Sequence, residues 1–143
     1  MNPWLSIPYQ DYEKHMSHQD VQLQCLNSII KQKALTYKPL SVAVYGACTG
    51  NGFEHFENIE TIYAIDINNE FLSVCRPRQP YLGHKLTCIT ADLNSDEIDI
   101  PAETFDLVYC HLFLEYVDIK KDIRWHLQNI KTWRNSEHSY TAG

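Results

Sequence analysis

Val42-Ala43-Val44-Tyr45-Gly46-Ala47-Cys48-Thr49-Gly50-Asn51-Gly52 is an apolar run that empties into a glycine-rich turn. Residues 41–45 read as a buried strand, because β-branched and aromatic side chains pack well on a pleated surface. The glycines can adopt positive φ and let backbone N–H groups approach a ligand without interference from a Cβ. Twenty residues after Gly46, the second apolar strand Tyr63-Ala64-Ile65 ends in Asp66. One short helix and one strand fill that interval, and a carboxylate placed there can accept hydrogen bonds from a ribose. Loop and carboxylate together point to a nucleoside-cofactor site.

The glycine spacing discriminates among nucleosides. A dinucleotide fingerprint reads G-x-G-x-x-G, whereas this loop reads Gly46-x-x-x-Gly50-x-Gly52. No Lys-Ser or Lys-Thr pair follows, so a phosphate-gripping P-loop is unsupported as well. The arrangement resembles the first motif of class I S-adenosylmethionine-dependent methyltransferases, whose loop wraps the amino-acid end of a cofactor that carries no phosphate.

The resemblance extends over roughly residues 38–133. Leu86-Thr87-Cys88-Ile89-Thr90 followed by Ala91-Asp92-Leu93 is similar to the family's adenine-contacting corner. Thr104-Phe105-Asp106-Leu107-Val108-Tyr109-Cys110-His111 and the segment up to Val117 look like its fourth strand and the active-site loop behind it. Tyr12-Glu13-Lys14-His15-Met16 resembles the N-terminal lid of a bacterial branch of small methyltransferases. By this resemblance Gly46, Ala47, Cys48, Thr49, Gly50, Gly52, Asp66, Ile67, Asp92 and Leu93 bind S-adenosylmethionine or its product S-adenosylhomocysteine. Phe113 pads the same region. His111 is the candidate base, and Tyr12 and His15 close over the methionine end of the cofactor. Two positions depart from the family: Val44 stands where an acidic residue is usual, and Cys48 where the middle glycine is usual.

Several residues also carry plainer readings. Asp66 can cap the following helix, and Asp92 can form an Asx turn before Asn94-Ser95. Cys48 lacks a locally paired histidine, which argues against a nucleophile. Seven dispersed histidines do not form a metal-binding pattern, and the row Asp118, Asp122, His126 reads as a hydrated helix face, so no metal is expected.

A chain of 143 residues with 44% hydrophobic and 21% charged content is enough for one compact domain. Its formal charge of −6 argues against a sequence-independent grip on nucleic acid, which needs clustered Lys and Arg. The acceptor is expected to be a small molecule. Five cysteines without a C-x-x-C pair, no secretory signal and no apolar run of membrane-spanning length are the pattern expected of a cytoplasmic protein.

The predicted organisation is a lid or arm over 1–20, a cofactor-binding Rossmann-like domain over 21–133, and a polar tail over 134–143. Helix is expected from the recurrence of Val21, Cys25 and Ile29, with Leu26 and Ile30 beside them, up to Pro39, over 52–58, over 70–75, and along the stripe Ile119, Ile123, Leu127, Ile130. Strands are expected over 41–45, 61–65, 85–90 and 105–110. Alternation of this kind implies a parallel α/β sheet with right-handed crossovers and flanking helices on both faces; the order 3-2-1-4 is what the family resemblance implies. The family's sheet has seven strands, so the resemblance implies a C-terminally truncated member whose fourth strand is an open edge. Such an edge invites a second copy, and a homodimer through strand 4 is the expectation. The alternative to a methyltransferase is a non-catalytic remnant of the fold that serves as an interaction or regulatory protein.

Overall fold

The computed structural model describes residues 2–18, 23–102 and 104–110. Its centre is a sheet of four parallel strands in the order β3-β2-β1-β4. These are β1 (Ser41–Tyr45), β2 (Thr61–Asp66), β3 (Leu86–Thr90) and β4 (Leu107–Cys110). β1 is buried along its whole length, as the apolar run predicts. It pairs with β2 from Ser41↔Thr61 to Tyr45↔Ile65, and with β4 from Val42↔Leu107 to Tyr45↔Cys110. The strand order and the parallel pairing agree with the sequence reading.

Side chains alternate across β1 because successive Cβ atoms point to opposite faces. Val42 and Val44 join Ile62, Ala64, Leu86 and Tyr109 on one face, covered by Ile30, Leu72 and Cys75 from the helices. Ala43 and Tyr45 join Ile65 on the other face, covered by Ile98, Ile100 and Phe105. Among the described residues, then, the helices α2 (Leu23–Tyr37) and α3 (Asn69–Arg78) pack on one face only. An irregular stretch covers the second face. The stripe Ile119 to Ile130, the tail, and the residues His111, Phe113, Asp118, Asp122 and His126 lie outside the described residues.

The elements differ from their predicted forms at three places. Residues 52–58 contain only a single 3₁₀ turn, Phe53–His55, where a helix was expected. The buried residues Phe53, Phe56 and Ile59 recur every three positions, which suits three residues per turn rather than 3.6. α3 continues past its expected end through Pro77 to Arg78. Asn68 caps its first turn by accepting from the N–H groups of Glu70 and Phe71 at 2.9 and 3.3 Å. On α2 it is Ile30, fully buried, that faces the core, while Cys25 and Ile29 are exposed. Of the expected stripe, then, Ile30 is the buried member and Leu26 is half-buried, while Cys25 and Ile29 face out.

A third helix, α1 (Tyr9–Met16), buries Tyr12. The Tyr12 ring lies 4.8 Å from that of Phe71 on α3 and 6.3 Å from that of Trp4. Asn68 Nδ2 donates to the carbonyl of Trp4 at 2.7 Å. Residues 2–18 thus lie against the start of α3, directly beyond the carboxyl end of β2.

Candidate functional site

After β3 the chain crosses to the far side of β1, so the direction of strand winding reverses between β1 and β4. Ligands of open α/β sheets bind outside the carboxyl ends of the strands at such a reversal. The glycine loop 46–52 occupies that position.

Every second residue of the loop has positive φ: Gly46 at 70°, Cys48 at 48°, Gly50 at 86° and Gly52 at 84°. Gly46 and Ala47 donate to the carbonyl of Ile65 at 2.9 and 3.2 Å, which anchors the loop to the end of β2. Two of the glycines are required by packing as much as by φ. A Cβ on Gly52 would stand 2.5 Å from Ile30 Cδ1, and one on Gly50 would stand 2.7 Å from Cys75 Sγ. Cys48 sits in the left-handed region that favours glycine, a strained conformation for a residue with a Cβ.

Asp66 turns toward the loop. Its Oδ2 accepts from the Cys48 N–H at 2.8 Å and its Oδ1 from the Asn68 N–H at 2.9 Å. The carboxylate, 7% exposed, therefore ties the glycine loop to the β2–α3 turn. Burial pushes its pKa up, while the N–H groups of Asn68 and Cys48 oppose that shift by stabilising the charge. A carboxylate offers about four acceptor sites, so two remain after these bonds. The helix-capping reading is not what the structure displays: Asn68 is the cap, and Asp66 supports it from the preceding turn.

α1 covers this carboxylate. The Tyr12 hydroxyl is raised above its ordinary pKa, chiefly by burial and then by Cys48; Asp66 and Glu13 add to the shift. The Cys48 thiol is itself pushed up to about 12 by burial and by the negative charge of Asp66. It is no thiolate nucleophile. Next to Tyr12, Glu13 Oε1 accepts from Thr49 Oγ1 at 2.7 Å, and the Glu13 carboxylate is paired with Arg78 through both guanidinium Nη atoms. Arg78 holds Glu13 below the usual carboxylate range. His15 is exposed on the last turn of α1.

The structure thus brings together Gly46, Ala47, Cys48, Thr49, Gly50, Gly52, Asp66 and Tyr12. Asp92 takes its plainer form, an Asx turn in which Oδ1 accepts from the Asn94 N–H at 3.0 Å. Leu93 packs against the cluster beneath Tyr45, and Ile67 is half-buried beside Asp66. Val44, at the position of the usual acidic residue, is fully buried in β1. The contacts of Glu13 and Arg78 were not assigned from the sequence, because 65 residues separate them and no local spacing pairs them. Among the described residues no group of three His, Cys, Asp or Glu could hold a metal, and no helix is long and apolar enough to cross a membrane.

The sequence matches a family described as a methyltransferase domain over residues 44–134. No curated protein matches the sequence. Among solved structures, the fold is similar to that of an S-adenosylmethionine-dependent methyltransferase of Aquifex aeolicus, with a TM-score of 0.67 and 16% identity over 89% of this chain and 69% of that one. A protein of Methanococcus maripaludis assigned to the same enzyme class gives a TM-score of 0.68 and 11% identity over 87% of this chain and 60% of that one. Phosphoethanolamine N-methyltransferase 1 of Haemonchus contortus, solved with phosphoethanolamine and S-adenosylhomocysteine, gives a TM-score of 0.60 and 16% identity over 87% of this chain and 29% of that one. Several other matched chains are longer, and the match with this chain spans 46–48% of them.

Proposed function

Because the chain belongs to the class I S-adenosylmethionine-dependent methyltransferase family through its methyltransferase domain over residues 44–134, we propose that loop 46–52 and Asp66 bind S-adenosylmethionine and its product S-adenosylhomocysteine. One observation carries the reading. At the sheet's reversal point a loop with alternating positive φ faces a carboxylate that still has acceptor sites to spare. That arrangement fits a nucleoside whose hydroxyls bond to Asp66 while its amino-acid end follows the loop. The cofactor would supply a reactive methyl group on a sulfonium, and transfer needs mainly alignment and exclusion of water.

In this reading Tyr12 and Glu13 form the lid of the site. With Asp66 covered by α1, the ligand enters when Tyr12 moves off the carboxylate. Glu13, already bonded to Thr49 of the loop, replaces the acidic group that Val44 lacks and accepts from the cofactor's amino group. Asp92 and Leu93 border the adenine, Ile67 pads it, and His15 and His111 stand as candidates on the acceptor side. The acceptor itself is a small molecule, the location is cytoplasmic, the arm, cofactor domain and tail are divided as in the sequence reading, and a second copy pairs along β4. Light scattering that finds only monomer at high concentration would refute that pairing.

Thermal denaturation with each form of the cofactor tests the assignment. At a ligand concentration one hundred times the dissociation constant, stability rises by about 2.7 kcal/mol. Adenosine and NAD serve as controls. No shift with either form of the cofactor would instead support a fold remnant acting as an interaction or regulatory protein, the reading that Val44 and the strained Cys48 favour.

A further inference from the structure

The amino-acid end of S-adenosylmethionine carries an α-carboxylate as well as an ammonium group, and the glycine loop is poorly equipped to hold an anion. Much of its N–H capacity is engaged within the protein. The amides of Gly46 and Ala47 donate to the carbonyl of Ile65, that of Cys48 donates to Asp66 Oδ2, and that of Gly50 donates to the carbonyl of Ala47. The carboxylates of Asp66 and Glu13, both at this site, repel a third. An anion bound along the loop therefore needs a cation beside it.

Arg78 stands in that place. It belongs to the last turn of α3, and the end of that helix lies against the loop, where the buried Gln79 donates from Nε2 to the Gly50 carbonyl at 3.3 Å. Arg78 holds Glu13 through both Nη atoms, with Nη2 donating to Oε2 at 2.7 Å. Glu13 Oε1 in turn accepts from the hydroxyl of Thr49, a buried residue of the loop, at 2.7 Å. The guanidinium fork has more N–H donors than Glu13 uses, and with the side chain 42% exposed the others are open to a ligand. Glu13 also keeps an acceptor site. The two residues set a negative and a positive group side by side on the loop, which matches the opposite charges that an α-amino acid carries on one carbon.

Resting on the cofactor reading above, we propose that Arg78 binds the α-carboxylate of S-adenosylmethionine while Glu13 takes the ammonium group, so that the pair selects ligands with an intact amino-acid end. Arginine suits the task because its fork meets a carboxylate through two parallel N–H···O bonds. The bond to Glu13 already restricts the guanidinium before a ligand arrives, which lowers the ordering cost of binding.

The test is isothermal titration calorimetry on the full chain, with S-adenosylhomocysteine and with its decarboxylated analogue, which keeps the ammonium group. Wild type should bind S-adenosylhomocysteine about tenfold more tightly than the analogue, a modest factor because the guanidinium is open to solvent. Arg78→Gln should lose that factor for S-adenosylhomocysteine and bind the analogue as wild type does. Arg78→Lys, which restores the charge without the fork, should regain part of the preference. The ion pair is exposed, so both variants should fold; should either not, the wild-type comparison decides. If Arg78 does no more than fasten α1, Arg78→Gln weakens both ligands alike, and that result overturns the proposal, as does a wild type that binds the two equally. Wild type that binds neither ligand refutes the cofactor reading and the role of Arg78 together, whereas S-adenosylhomocysteine binding that Arg78→Gln leaves unchanged refutes the role of Arg78 alone.

Discussion

Replacing Gly52 with alanine tests whether the glycine loop is shaped by what packs beneath it. Two costs are expected. At φ 84° an alanine Cβ is strained by about 1–2 kcal/mol. The same Cβ meets Ile30 Cδ1 at 2.5 Å, and the Cβ and Cγ2 of Ile30 at 3.3 Å, inside a filled core where overpacking costs about 1–3 kcal/mol. The backbone cost alone is what Gly83→Ala would show, at φ 51° and ψ −127°, since an added Cβ there meets nothing within 4 Å. Gly52→Ala should therefore lower the stability measured by urea denaturation by about 2–5 kcal/mol, the two costs together. Ile30→Val removes the closest atom, so in that background the penalty of Gly52→Ala should shrink by about 1 kcal/mol, a coupling that a double-mutant cycle reads directly. Additivity in the cycle would refute the packing argument.

Asp66→Asn leaves one of the two N–H groups of Cys48 and Asn68 facing another donor. A loss of about 1–3 kcal/mol is expected by denaturation, along with loss of any thermal shift by the cofactor. Tyr12→Phe removes a buried hydroxyl and should cost about 1 kcal/mol by denaturation, with the ring still packed on Phe71. The acidic groups of the lid and loop respond to pH with opposite sign. Glu13 is held low by Arg78, so its contribution is present above the unfolded pKa and is lost as pH falls through the folded one; Asp66 is raised by burial, so its ionisation lowers stability as pH rises from the unfolded pKa through the folded one. Accordingly, the stability difference between wild type and Glu13→Gln should shrink as pH drops below about 4, whereas that between wild type and Asp66→Asn should not follow the same curve. Arg78→Ala should cost only about 0–1 kcal/mol, because the pair is solvent-exposed and Thr49 still donates to Glu13.

Local pattern sufficed where one element's own residues determine the outcome. The uninterrupted apolar run 42–45 sets β1 in the sheet centre, and Gly46, Gly50 and Gly52 mark the turn, because a strand buried on both faces must be apolar throughout and a loop with repeated positive φ favours residues without a Cβ. The alternation of elements implied a parallel sheet, and the resemblance to the methyltransferase family implied its order β3-β2-β1-β4. Periodicity left the outcome open or misled where burial is decided by neighbours: which member of the stripe holding Ile29 and Ile30 is buried depends on where α2 meets Gly52, and the 3₁₀ turn at 53–55 depends on three aromatic and aliphatic residues reaching the core together. Only the tertiary structure brought Glu13 to Thr49 and Arg78, turned Asp66 back onto the Cys48 N–H, and set Cys75 beneath Gly50. Those contacts join residues 18 to 65 positions apart, and no local spacing encodes which side chains meet once helices dock on a sheet.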